Sequence, residues 1–311
     1  MDFTRSICRY PDGRPYYSLG LYMRRQFGRR VYKLALDGGM TCPNRDGTVG
    51  YGGCVFCSAG GSGEYAADAK LSVAQQLRQA KGLLRREATG YIAYFQAYTN
   101  TYGPVEYLEQ IFSQAMEPRE IVALSVATRP DCLGEPVTAL LDRLSLQKPV
   151  WVELGLQTMH EETARKIRRG YELPCFEQAV RRLRAGGHAV IVHVILGLPG
   201  EDLAMMTETV RYLGQLGIDG IKLQLLHVLK GTELAGWYRQ GNLSVMEKEA
   251  YFEAVSRCLE VLPGDVAVHR LTGDGPKDML VAPLWSRDKK RVLNELHHYL
   301  KVNGVMQGRA V

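Results

Sequence analysis

Three cysteines, Cys42, Cys54 and Cys57, stand within sixteen residues of one another in a C-x11-C-x2-C pattern. The loop that carries them is rich in glycine, with Gly38-Gly39, Gly47 and Gly52-Gly53. Thiolates are soft ligands, and glycine lets a backbone turn tightly and come close to inorganic sulfide, so such a loop can wrap a cubane iron-sulfur cluster. Three ligands would leave one iron of the cubane open. The same spacing also suits a zinc site completed by Cys8 or a histidine, or three free thiols. Cys8, Cys132, Cys175 and Cys258 are scattered singly and read as small apolar packing residues. An odd total of seven, with three clustered, points to a metal or cluster site in a reducing compartment and away from a disulfide framework.

The elements that must position this loop are legible in the hydrophobic pattern. Short β-branched or aromatic runs predict strands at 31–36, 91–97, 121–127, 151–156, 189–196 and 220–226. Amphipathic stretches between them predict helices over 73–88, 105–116, 136–144, 161–168, 175–185 and 205–216. Alternating strands and helices imply a parallel sheet with crossover helices, either doubly wound and open or a curved partial barrel. In both, chemistry gathers at the carboxyl ends of the strands, and the cysteine loop follows the first strand directly. The 311 residues are 46% apolar and 23% charged, which excludes collagen-like, disordered and disulfide-dense classes and suits one main domain with short extensions.

Further motifs close the later strands. Thr128-Arg129-Pro130-Asp131 follows the third, and Glu153-Leu154-Gly155-Leu156-Gln157-Thr158 ends the fourth and leads to Ile167-Arg168-Arg169-Gly170. His193 through Gly197-Leu198-Pro199-Gly200-Glu201-Asp202 closes the fifth, and Ile221-Lys222-Leu223-Gln224 through Thr232-Glu233-Leu234 marks the sixth. With Phe56 just before Cys57, these motifs resemble the radical S-adenosylmethionine (SAM) enzymes. The long first spacing is similar to the branch of the elongator catalytic subunit, and the best-matching group within it is the YhcC-like bacterial one. The resemblance runs from about Val31 to Leu243.

That resemblance implies a partial (β/α)6 TIM-type barrel over 31–243, with an N-terminal extension at 1–30 and a C-terminal extension at 244–311 that caps the barrel. It implies a 4Fe-4S cluster on Cys42, Cys54 and Cys57, and reductive cleavage of SAM to a 5'-deoxyadenosyl radical that abstracts hydrogen from a substrate. A one-electron donor such as flavodoxin or ferredoxin follows from that chemistry. By the family's pattern Gln157 and Arg169 contact SAM, and the Gly197 to Gly200 turn lets backbone approach the adenine. Glu153 reaches the ribose or else forms a helix-packing ion pair, and His193 faces SAM or substrate or else sits satisfied in the core. Where many relatives carry a glycine-glycine-glutamate element for the methionine amino group, this chain has Tyr98-Thr99-Asn100-Thr101, so Thr99 and Asn100 are the nearest candidates. Ala127 stands where the elongator branch tends to carry a glutamate.

The substrate implied is a tRNA base, with the side chain on C5 of a wobble uridine as the leading form. Alternatives are a small metabolite or peptide, or a non-catalytic iron-sulfur module. Residues 244–311 leave no room for the acetyltransferase domain of the elongator subunit, so acetyl transfer is not expected. The net charge of +6 is mild, but paired basic residues recur at Arg24-Arg25, Arg29-Arg30, Arg85-Arg86, Lys166 to Arg169, Arg181 to Arg184 and Lys289 to Arg291. Gathered on one side they would suit RNA phosphates, and singly they read as solvated faces. The aromatic and basic stretch from Tyr16 to Arg30 reads as a single-strand RNA contact or as a docking segment packed through Tyr17, Leu19 and Leu21. The loop from His269 to Asp278 reads as a cap over the barrel mouth or as a surface turn. No leader, anchor or membrane-spanning stretch is evident, which predicts a cytoplasmic protein.

Overall fold

The computed structural model describes residues 10–84, 88–273 and 275–311; Cys8, the Arg85-Arg86 pair and Asp274 lie outside them. In chain order the elements are α1 (Leu19–Phe27), β1 (Val31–Leu36), α2 (Val73–Gly82), β2 (Gly90–Phe95), α3 (Val105–Met116), β3 (Ile121–Thr128), α4 (Glu135–Ser145), β4 (Val150–Gln157), α5 (Glu161–Lys166) and α6 (Leu173–Ala185). They continue with β5 (Ala189–Leu196), α7 (Leu203–Leu216), β6 (Gly220–Leu225), β7 (Val228–Leu229), α8 (Glu233–Arg239), α9 (Lys248–Val261), β8 (Ala267–Arg270), β9 (Leu280–Ala282) and α10 (Lys289–Val302). Seven strands form one sheet in the order β1-β2-β3-β4-β5-β6-β8, the α/β partial barrel expected, while β7 and β9 form a separate antiparallel pair. The β1–β2, β2–β3, β3–β4 and β6–β8 pairings are all parallel.

The chain divides into two compact units. One comprises Met23–Leu156 and Arg168–Val192. Its strand β3, IVALSVAT, is buried at all but one position, the continuous apolar signature of a parallel strand covered on both faces. Phe95 and Phe112 meet edge to face at 5.0 Å where α3 lies on the strands. Helix α2 starts from a full capping box, Ser72 with Gln75, and ends at Gly82, short of the predicted Ala88. Glycine is a poor interior helix former, and the predicted extension runs partly outside the described residues.

The other unit comprises the N-terminal residues to Tyr22, Gln157–Ile167 and His193–Val311. Helix α7 is capped by Asp202, which accepts from the Met205 N–H, and stops at Gly217, whose φ of 76° ends the helix. Strand β8 lies beyond the six predicted units and extends the sheet from β6. Its sequence, Ala267 to Arg270, is too short to register as a strand by pattern alone. Tyr10, Tyr17 and Leu21 pack with Ala267, and Ser18 bridges to Val268. Tyr16 and Tyr17 are therefore buried, with the Tyr17 N–H donating to Gln307 Oε1 at 2.7 Å, and are not available to stack RNA bases. The docking role is the one the structure supports for this segment, and α1 itself was not foreseen.

Candidate functional site

The cysteine loop follows β1 and holds itself by its own backbone. Arg45 N–H donates to Cys42 O, Val49 and Gly50 N–H to Pro43 O, Gly53 N–H to Asn44 O and Cys57 N–H to Cys54 O. Gly53 has a φ of 84°, and a Cβ there would lie 3.0 Å from the Arg45 side chain, so glycine is required on both counts. Cys42, Cys54 and Cys57 lie within electrostatic reach of one another. Burial pushes the Cys54 thiol up to about 12. Burial likewise raises the Cys57 thiol, against the pull of the Arg45 guanidinium beside it. Among the described residues no three His, Cys, Asp or Glu side chains converge closely enough to hold one metal ion. Thiols gathered on one loop are donors of the kind an iron-sulfur cluster takes.

Two adjacent residues serve these sulfurs, and sequence reading passed over both. Asn44 Nδ2 lies 3.5 Å from Cys54 Sγ and also donates to Arg168 O at 2.6 Å. The Arg45 guanidinium is hydrogen-bonded at Cys57, donates to the Cys57 and Ser58 carbonyls, and lies over the Tyr98 ring at 5.5 Å. A second cation, Arg129, acts on Cys54 through its charge without a hydrogen bond to the sulfur. Arg129 is fixed by a fork onto Asp131, with Nε to Oδ1 at 2.9 Å and Nη2 to Oδ2 at 2.7 Å. Burial works against its charge, but these bonds and the Asp131 carboxylate prevail and raise its pKa. Its Nη1 donates to Arg169 O at 2.8 Å, and the guanidinium lies 5.1 Å from the centre of the Tyr171 ring. The Thr-Arg-Pro-Asp motif was visible in the sequence; the clamp it forms was not.

At the end of β2, Asn100 is fully buried. Its Nδ2 donates to Phe95 O at 3.1 Å and Ala127 O at 3.0 Å, while Oδ1 is buried with no partner among the described residues. Ala127, the departure from the branch pattern, thus supplies a carbonyl that orients Asn100. Thr99 is also buried, and its N–H donates to Thr41 O at 3.3 Å, which ties this turn to the cysteine loop. Glu153 points its Oε1 at Lys33 Nζ and at Ser125 Oγ, 2.8 Å away. The ion pair joins strands β1 and β4 and not a helix, unlike the helix-packing pair expected, and the ammonium also lies over the Tyr94 and Trp151 rings. Arg169 is buried, donates to Tyr171 O at 2.9 Å and stacks over the Tyr171 ring at 4.6 Å.

In the other unit, Gln157 ends β4 with a φ of 70°, a conformation non-glycine residues seldom adopt, and its Oε1 is buried without a partner. Gly197 ends β5 with a φ of 85°, and a Cβ there would strike Met246 at 2.8 Å. Its N–H points at Met206 Sδ, 3.2 Å away. His193 is half-buried on β5, on the same strand face as the buried Ile191 and Ile195. His269 lies on β8 one residue before its end, while His227 sits among Gly273, Gly275 and Ser286. The loop from His269 to Asp278 is therefore tied to His227, with Asp274 outside the described residues.

Residues 42–213 match the model of the Radical SAM superfamily, and residues 218–302 match the Radical_SAM C-terminal domain. The chain is 40% identical to YhcC of Escherichia coli (strain K12), covering 93% of both chains. It is 28% identical to the tRNA uridine(34) acetyltransferase of Methanocaldococcus jannaschii over 59% of this chain and 34% of that protein. Among solved structures it shares its fold with Methanocaldococcus infernus Elp3, at a TM-score of 0.65 and 19% identity. It spans 89% of this chain and 64% of that one. No helix among the described residues is long and apolar enough to cross a membrane. The chain belongs to the radical SAM superfamily of enzymes, whose characteristic cofactors are a 4Fe-4S cluster and SAM.

Proposed function

We propose that Cys42, Cys54 and Cys57 hold the cluster, that Asn100 is a contact for SAM, and that the substrate is a tRNA base, with the wobble-uridine side chain as the position attacked. When bound, the reduced cluster and SAM supply a 5'-deoxyadenosyl radical, which removes hydrogen from carbon that acid-base chemistry does not reach. The observation that carries the reading is the Asn100 carbonyl oxygen, buried with no partner on a turn bonded to the cysteine loop. Such an oxygen is costly to bury unless a donor meets it, and an ammonium group is a fitting donor. Gln157 Oε1 is a second such acceptor, held in a strained backbone conformation of the kind found at binding sites.

The other residues prepare the site. The cysteine thiols give up protons to a metal, and Arg45 and Arg129 offset the negative charge that results. Asn100 is oriented by two backbone carbonyls, so its acceptor is set before any ligand arrives. Gly197 lets a ligand approach the backbone, in keeping with the adenine turn that the family pattern assigns to this position. Glu153 is left to its ion pair with Lys33. A flavodoxin or ferredoxin is the electron donor in this reading. The tRNA substrate is supported by the relative named as a tRNA uridine(34) acetyltransferase and by the basic pairs of the sequence.

The test is anaerobic reconstitution with iron and sulfide, reduction by dithionite with SAM, and chromatography for 5'-deoxyadenosine, alone and with undermodified tRNA. The expected result is 5'-deoxyadenosine from the wild type, increased by tRNA, and none from the Cys42→Ala/Cys54→Ala/Cys57→Ala protein. A cluster that forms without any SAM cleavage would overturn the enzymatic reading. Cleavage indifferent to every tRNA would overturn the substrate.

A further inference from the structure

A polar cleft of about 530 Å3 lies in the C-terminal region, remote in sequence from the cysteine loop and lined by Lys248, Lys277, Trp285, Arg287, Arg291 and Glu295, with Leu284 and Asp288 at its edge. Its charges fall into two groups. Glu295 accepts from Lys248 Nζ at 3.0 Å and from Arg291 Nε at 2.7 Å, and Asp288 caps α10 by accepting the Arg291 N–H at 3.1 Å. Lys277 and Arg287, both exposed, form no salt bridge among the described residues. The cleft therefore carries two cations in excess over its carboxylates, and both are free to take an anion.

The wall beside them is rigid. Trp285 donates its indole N–H to Met246 O at 3.0 Å and packs on Tyr251 and Phe252, so its position is fixed before binding. Leu284 beside it is 65% exposed, an apolar surface that nothing in the fold uses. The basic run continues past the cleft through the exposed Lys289 and Lys290. An aromatic and an aliphatic side chain next to unpaired cations, with further cations leading away, match a sugar-phosphate chain better than an isolated anion. The volume exceeds what a single phosphate occupies.

We infer that this cleft is an RNA docking site, in which Lys277 and Arg287 each neutralise a backbone phosphate while Trp285 and Leu284 carry the adjoining sugar or base. The inference rests on the tRNA reading for its occupant.

The test uses the reconstituted full chain and an unmodified tRNA transcript, with fluorescence anisotropy read over a series of salt concentrations. For two lost phosphate contacts, Lys277→Ala/Arg287→Ala should lower the slope of log affinity against log salt by about 1.4 to 1.8. Lys277→Arg/Arg287→Lys should keep the wild-type slope, and SAM cleavage without tRNA should be equal in all three proteins. If the wild type binds tRNA and the alanine variant keeps its slope, the cleft is not the docking site and the substrate reading stands. If the wild type binds no tRNA, both fall. Competition by inorganic tripolyphosphate at the affinity of the tRNA would show a small-anion pocket and overturn the RNA assignment.

Discussion

Replacing Asp131 by Ala removes both acceptors of the Arg129 fork, bonds of 2.9 and 2.7 Å. Exposed ion pairs contribute about 0–1 kcal/mol, whereas breaking a fully buried one costs about 3–5 kcal/mol. With side chains 10% and 21% exposed, this pair stands nearer the buried limit, and the loss should be about 2–4 kcal/mol. The consequence should extend to the cysteine loop. Arg129 also holds the Arg169 carbonyl, and the Arg168 carbonyl beside it accepts from Asn44, which reaches Cys54. The assay is urea unfolding under anaerobic reducing conditions for Asp131→Ala, Arg129→Met and the double variant, with iron content measured after desalting. The single variants should each lose stability and retain less iron. The double variant should lose less than their sum, by about 1.5 kcal/mol or more, because the interaction is counted twice in the sum. A change under about 0.5 kcal/mol for Asp131→Ala with additive losses and full iron retention would refute the clamp.

The donors at the sulfurs predict a redox effect. Asn44→Ala should make the cluster's midpoint potential more negative by about 40 mV, the equivalent of one hydrogen bond of about 1 kcal/mol favouring the reduced form. Arg45→Gln should shift it in the same direction, and an unchanged potential in potentiometric titration followed by EPR would remove the tuning role. Cys258, buried in α9, predicts a pH dependence. Burial raises its thiol from the ordinary 9.0 to about 12, so its contribution is full below pH 9 and declines from there to about pH 12, as the unfolded chain ionises first. Between pH 9 and 10 the wild type should lose about 1 kcal/mol more than Cys258→Ala in urea titrations; parallel losses would contradict that.

Much of this arrangement was legible in the chain because local rules agree with the fold. Strands β1 and β5 begin and end at the residues that the pattern predicts, and α7 ends at the predicted Leu216 but starts two residues before the predicted Met205, at the Asp202 cap. The cysteine spacing and the strand-end motifs named the family before any geometry was known. What stayed hidden depends on contacts far apart in sequence. Lys33 and Glu153 are 120 residues apart, so nothing local showed that Glu153 would be committed to an ion pair. Asn44 and Arg45 read as ordinary loop residues until the turn at 168–170 and Cys57 came beside them. Strand β8 is four residues long, and only its pairing with β6 distinguishes it from a loop. The segment from Tyr16 to Arg30 left RNA stacking and docking both open because aromatic character alone does not reveal which side of a segment is covered.

The central claim, that three cysteines hold a cluster with an iron free for SAM, is tested most directly by EPR of the anaerobically reconstituted, dithionite-reduced protein before and after SAM is added. The account predicts a reduced-cluster signal whose g-values change on addition of SAM, a weaker change in Asn100→Ala at the same SAM concentration, and no signal when Cys42, Cys54 and Cys57 are replaced by Ala. A signal that SAM leaves untouched, or one that survives the triple replacement, would contradict it.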